Sequence, residues 1–187
     1  MNFFSIVCEF NPFHTGHKYL IEQTKAKTNA DAIVCIMSGS MVQRGDVAIY
    51  DKWTRAKSAI ENGADLVIEL PVCYVLQSAD IFAKGAVGIA DAIGSHGIAF
   101  GSECTDTDLL WKIAKLKNSE DPEYISALKD ALSSGMGYPA ACECAVRAVL
   151  GDVAKEIALP NSTLGISYLS SILAINSNMK VHIEKRI

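Results

Sequence analysis

The stretch Glu9 to His17, E-F-N-P-F-H-T-G-H, lies between an apolar run and a helical pattern, and that placement constrains the fold more than any other feature of the chain. Upstream, Phe3-Phe4-Ser5-Ile6-Val7-Cys8 is apolar and rich in strand formers, as expected for a buried strand of a parallel sheet. From about Gly16 the apolar residues Tyr19, Leu20, Ile21 and Ala26 recur with roughly helical spacing, while Lys18, Glu22, Lys25 and Lys27 supply a wet face. The segment therefore reads as strand, tight turn, helix. In that unit the turn lies at the carboxyl edge of the sheet, where free backbone N–H groups at the helix start favour an anion such as phosphate. Gly16 lets the backbone come close to a ligand, and Pro12 stiffens the approach. His14 and His17, three apart across the helix start, can both face the same phosphates and donate to oxygens that gain charge when an α-phosphate is attacked. A histidine pair at this spacing also suits a metal, though no third ligand lies nearby in sequence, or a structural turn in which imidazoles cap the helix.

Further strands follow at intervals that suit βαβ units. Asp31 to Met37, Asp65 to Leu70, Gly97 to Phe100 and Lys180 to Ile183 are short apolar runs that read as the second to fifth strands. Between them, Asp51 to Asn62 reads as a helix capped by Asp51 with Trp53, Ala56 and Ile60 inward, and Gln77 to Ile93 as a long helix carrying Ile81, Ala86, Ile89 and Ile93. Residues 107–150 contain no convincing strand and read as a helical insertion: Thr107 to Lys117, Asp121 to Ser133 and Tyr138 to Leu150. A last helix opens at Leu159 with Asn161 or Ser162 as its cap. The fold class is thus α/β, a Rossmann-like parallel sheet of five strands with a helical insertion.

The strand ends carry residues suited to a nucleoside triphosphate. Arg44, in the loop Ser38 to Asp46, offers a bidentate fork for phosphate or carboxylate, or is an exposed loop arginine. Gly101 would let a purine ring lie flat on the backbone. Lys185 and Arg186 follow the fifth strand and sit beside the same edge, unless they form a frayed basic tail. Adenylyl transfer needs donors and cations placed around phosphates, usually with magnesium, rather than an acid/base dyad. No G-x-x-x-x-G-K-[ST] stretch is present, which excludes a P-loop, and no G-x-G-x-x-G follows a strand.

Bulk properties narrow the class. At 187 residues, 50% hydrophobic and 20% charged, the chain fits a single domain that can bury roughly 70% of its unfolded surface. A net charge of −4 argues against a broad basic face for nucleic acid. The six cysteines form no C-x-x-C pair and read as small core residues of a reducing cytoplasm, without a zinc site. No window approaches the roughly 20 apolar residues of a membrane span, so the expectation is a soluble, cytoplasmic protein.

The turn H-T-G-H resembles the H-x-G-H signature of the nucleotidyltransferase superfamily, related to class I aminoacyl-tRNA synthetases. Six separated blocks extend the likeness: E-F-N-P-F-H-T-G-H, M-S-G-S-M-V-Q-R-G, K-W-T-R-A-K-S-A-I-E-N-G-A-D-L-V-I-E-L-P, F-G-S-E, P-N-S-T-L-G-I-S-Y and the terminal K-R. Together they resemble the tRNA(Met) cytidine acetate ligase family over nearly the whole chain. The resemblance implies a sheet of the nucleotidyltransferase type. It also implies ATP-dependent activation of acetate to acetyl-adenylate, then acetyl transfer to N4 of the wobble cytidine of elongator tRNA(Met).

Carried over by position, the resemblance implies ATP contacts from Val7, Cys8, Glu9, Phe10, Asn11, Pro12, Phe13, His14, Thr15, Gly16, His17, Lys18, Tyr19 and Leu20, then from Gly101, Asn161, Lys185 and Arg186. His14, His17, Lys185 and Arg186 would be catalytic, with Mg2+ carried by the nucleotide and no protein metal site. Arg44 and Arg55 are weaker candidates for an acetate or phosphate pocket. Members of that family are about twice this long, and the missing C-terminal portion is where much of the tRNA contact is expected. The chain is then either the catalytic domain of a longer protein or a short relative with another acceptor. Two other readings stay open: a small-molecule nucleotidyltransferase acting on a phosphorylated metabolite, and a non-catalytic ATP-binding module.

Overall fold

A computed structural model describes residues 1–151 and 159–186. Five strands, β1 (Phe3–Cys8), β2 (Ala32–Ser38), β3 (Leu66–Leu70), β4 (Gly97–Ser102) and β5 (Lys180–Lys185), pair in parallel in the order β3-β2-β1-β4-β5. Every residue of β2 is buried, because helices cover both faces of the sheet. The chain walks outward from β1 to β3 and then returns to β1's other side for β4. The order therefore switches between β1 and β4, and in an open parallel sheet ligands bind outside the carboxyl ends of the strands at such a point.

One face of the sheet packs Phe4, Ile6, Ile33 and Cys35 under helices α1 (Thr15–Thr28) and α2 (Lys52–Glu61), which add Ile21 and Ala59. The other packs Ile36, Ile98 and Phe100 under the short α3 (Val72–Val75) and under α4 (Ala79–Ala92), which contributes Phe82, Ala83, Ala86, Val87 and Ala90. Helices α5 (Thr107–Lys117), α6 (Pro122–Ser133) and α7 (Tyr138–Leu150) build a third layer, and α8 (Pro160–Ala174) belongs to both. Its Tyr168 and Ile172 face the sheet, while Ile166 and Leu169 pack with Leu110, Ile113, Tyr124 and Val146.

Several inward faces differ from the sequence expectation. On α2, Trp53 and Ile60 are exposed at 75% and 45%, and the buried residues are Arg55 and Ala59. On α1, Ala26 is exposed and Thr24 is buried, its hydroxyl donating to the Leu20 carbonyl at 2.7 Å. On α4, Ile81 and Ile93 lie outside, displaced by Phe82 and the small residues that let α8 approach. The long helix expected from Gln77 begins at Ala79, and α3 is a separate turn after Pro71. At the start of α8 neither Asn161 nor Ser162 is the N-cap, which is Leu159 with no side-chain bond.

Candidate active site

A cleft of about 720 Å³ opens at the carboxyl ends of β1, β4 and β5, floored by Ile6, Val7, Cys8, Phe10, Phe100, Leu164 and Tyr168. One wall is the start of α1, from His14 to Leu20. The opposite wall is Gly101, Asn161, Lys185 and Arg186, so the two ends of the chain meet across one space.

The histidine turn is built by mutual capping. His14 is the N-cap of α1, its Nδ1 accepting the Gly16 N–H at 3.1 Å, and His17 Nδ1 accepts the His14 N–H at 3.2 Å. The rings stack with centroids 3.6 Å apart. With Nδ1 accepting, the proton of each neutral imidazole sits on Nε2, which is left to serve as a donor. Burial, the neighbouring His14 and Arg186 lower the His17 pKa to about 4, so His17 is neutral near pH 7. Capping and phosphate contact, open alternatives from the sequence, are thus compatible uses of one ring. The Gly16 N–H, one of the donors at the helix start, is already taken by His14. A Cβ at Gly16 would lie 3.0 Å from the His14 ring, which explains the glycine.

Four residues of the same stretch lie outside the cleft lining and hold the turn. Glu9 Oε1 accepts the Gln43 N–H at 2.6 Å, and Asn11 Oδ1 accepts the Ile49 N–H at 2.7 Å. Phe13 packs on Phe10 and His17 with centroids 4.9 and 5.6 Å apart, and Pro12 follows Asn11 through a cis bond. Phe10 adopts φ 48° with its ring buried.

The two weaker arginine candidates do not line the cleft. Arg44 is exposed in the loop after β2. Arg55 is 1% exposed, and its guanidinium donates to the carbonyls of Glu9, Gly39 and Tyr50, tying the turn after β1 to the loop after β2. Gly101 makes room for Arg186 itself, whose Cγ would lie 3.2 Å from a Cβ there. Arg186 donates from Nη1 to Asn161 Oδ1 at 2.9 Å, and its backbone N–H donates to the Ser102 carbonyl at 3.0 Å, so the Lys185-Arg186 pair is anchored rather than frayed.

Sequence reasoning missed Glu184, which lines the cleft although only 6% exposed. Both its oxygens accept from Lys27 Nζ, at 2.9 and 2.8 Å, and His182 Nε2 lies 3.2 Å away. Tyr168 and Leu164 were also missed, although both fall within the P-N-S-T-L-G-I-S-Y block.

The profile of the HIGH nucleotidyl transferase family matches residues 1–187. The chain belongs to that family. Among HIGH nucleotidyl transferases, it is 46% identical over 188 residues to a tRNA(Met) cytidine acetate ligase of Clostridium botulinum (strain Okra / Type B1), covering 96% of this chain and 46% of that protein. A tRNA(Met) cytidine acetate ligase of Caldicellulosiruptor saccharolyticus is 42% identical over 182 residues, covering 97% and 45%. The crystal structure of Thermotoga maritima TmcAL bound with alpha-thio ATP matches with a TM-score of 0.97 at 34% identity, covering all of this chain and 47% of that one. The chain thus spans about half the length of the relatives it matches. Among the described residues no group of three His, Cys, Asp or Glu side chains is placed to hold a metal ion, and no helix is long and apolar enough to cross a membrane.

Proposed function

We propose that the cleft binds ATP and activates acetate as acetyl-adenylate, and that the acetyl group passes to N4 of the wobble cytidine of elongator tRNA(Met). The observation that carries this reading is the pair of stacked imidazoles, each with Nδ1 engaged and Nε2 without a bond among the described residues, facing Lys185 and Arg186 across one cleft. The near-complete superposition on a protein crystallised with an ATP analogue supports it.

In this reading the stretch Val7 to Leu20, Gly101, Asn161, Lys185 and Arg186 form the nucleotide site. Cys8, Thr15, Lys18, Tyr19 and Leu20 line it directly, while Glu9, Asn11, Pro12 and Phe13 shape the turn. An acetate oxygen attacks the α-phosphorus, the bond to the β-phosphate oxygen breaks, and pyrophosphate leaves. Charge builds on the phosphate oxygens. Neutral His17 donates to them from Nε2 together with His14, and Lys185 and Arg186 balance the charge on the departing pyrophosphate. The cytidine amine then attacks the acetyl carbon, expelling AMP and losing a proton. Magnesium would travel with the triphosphate.

Residues 1–187 act here as one catalytic domain with a helical insertion at 107–150. The portion of the longer relatives that this chain does not match supplies much of the tRNA contact, consistent with a net charge of −4 on this part. A tRNA acceptor implies a cytoplasmic setting, which the lack of a disulfide among the six cysteines fits. Exchange of labelled pyrophosphate into ATP tests the reading: it should require acetate. Exchange driven by a phosphorylated metabolite and not by acetate would replace it with adenylyl transfer to a small molecule. ATP binding without any exchange would leave a nucleotide-binding module.

A further inference from the structure

A line of polar contacts runs from the end of β4 through the first turn of α8 to Arg186. Glu103 Oε1 accepts from Asn161 Nδ2 at 2.6 Å, and Oε2 accepts from the Ser162 N–H and hydroxyl at 2.9 and 3.0 Å. Asn161 Oδ1 accepts from Arg186 Nη1 at 2.9 Å. The two ends decide how the middle must point. A carboxylate only accepts and a guanidinium only donates, so one orientation of the Asn161 amide satisfies both. Burial pushes the Glu103 carboxyl up, but the bonds from Asn161, its own N–H and Ser162 outweigh this and hold it below the usual carboxylate range. Asn161 and Arg186 line the cleft, whereas Glu103 does not.

We propose that Glu103 is a positioning residue, whose charge sets the Asn161 amide so that its oxygen holds Arg186 at the cleft edge. The proposal rests on the reading of the cleft as a nucleotide site. Arg186 is exposed and ends a flexible side chain, and ordering it before ATP arrives removes an entropic cost of binding. Its backbone is fixed on Ser102, but only Asn161 engages the guanidinium among the described residues. The remaining N–H donors of the fork are available to a phosphate.

Glu103→Gln keeps the size of the side chain and an oxygen for Ser162, but turns an NH2 toward Asn161. To stay bonded, the Asn161 amide must turn over and present its own NH2 to Arg186, donor against donor. ATP affinity measured by calorimetry on the wild-type protein, E103Q, R186A and the double variant separates the outcomes. E103Q should weaken ATP binding about tenfold, and the double variant should bind no worse than R186A alone. Additive losses, or an E103Q that binds like wild type, overturn the proposal while leaving the nucleotide site standing. Wild-type protein that takes up no ATP overturns both.

If E103Q does not fold, the 15N-labelled wild-type protein gives the answer. The Asn161 side-chain amide and Arg186 guanidinium signals should shift together as Glu103 is titrated in acid. Signals that stay fixed while the Glu103 carboxyl titrates overturn the proposal.

Discussion

His14 and His17 stack with their ring centroids 3.6 Å apart and 26° between planes, each accepting a backbone N–H at Nδ1. Two imidazoles this close resist carrying two positive charges. The arrangement fixes two imidazoles at a helix start by the same bonds that cap the helix. Local structure and the proposed site chemistry therefore share two rings, the caps at Nδ1 and the donors at Nε2.

Replacing either histidine should separate these two roles. His17→Ala removes a cap acceptor and, on the proposed function, a phosphate donor, so stability should fall by about 1 kcal/mol while the rate of pyrophosphate exchange falls about 100-fold or more. If the donor acts chiefly on the charge that develops during attack, kcat drops more than ATP affinity. Urea unfolding and exchange kinetics on the same variant check both parts. Equal losses in affinity and in kcat/KM, with kcat unchanged, would assign His17 to binding alone.

The low His17 pKa has a consequence for stability. The folded state holds His17 near 4 against an ordinary 6.5, so the unfolded chain takes up the proton first. The stabilisation from the neutral ring is fully present above about pH 6.5 and is lost as the pH falls toward about 4. His182 is also held below its ordinary value, by burial against the pull of Glu184, and acts in the same direction. The urea midpoint should fall across this window, and His17→Gln should flatten part of the fall.

Arg55 is expected to be intolerant of change although it lies outside the cleft. Its buried guanidinium donates to three carbonyls, those of Glu9, Gly39 and Tyr50, and so joins the segments after β1 and β2. Arg55→Ala should cost about 3 kcal/mol or more in urea unfolding, since the carbonyls lose a charged partner in a buried place. Arg55→Lys should recover little, because an ammonium cannot span the same fork.

Arg55 also shows where the sequence stopped being legible. The apolar runs announced the central strands, since burial on both faces, complete in β2, leaves little choice of residue there. The H-T-G-H turn announced a strand-to-helix turn at the carboxyl edge of the sheet, and the cleft opens there. The face of α2 was misread because Trp53 and Ile60 are apolar yet exposed, while the inward charge of Arg55 is balanced by backbone carbonyls that no residue pattern displays. The start of α8 failed for a related reason. Its first-turn Ser162 N–H is satisfied by Glu103, 59 residues earlier in the chain, rather than by a local cap. Glu184 was hidden too, since its partners Lys27 and Tyr19 come from a helix 157 and 165 residues away.

Glu184 gives a final expectation, because it puts a carboxylate into the cleft proposed to bind ATP, itself an anion. Burial pushes its carboxyl up, but Lys27, with a smaller contribution from His182, holds it below the usual range. The stabilisation is therefore present above about pH 4.5 and is lost as the pH falls through the lower folded-state value. Lys27→Met leaves the charge nearly buried without its main partner, so the variant should melt below wild type at neutral pH. That difference should shrink in acid, where the carboxyl is protonated in both proteins. Adding Glu184→Gln removes the charge itself, and the double variant should melt above Lys27→Met. ATP binding should follow the same order: weakened in Lys27→Met by an uncompensated carboxylate beside the phosphates, and recovered in the double variant. Calorimetry with ATP on the three proteins checks this, and unchanged affinity in Lys27→Met would remove Glu184 from the electrostatics of the site.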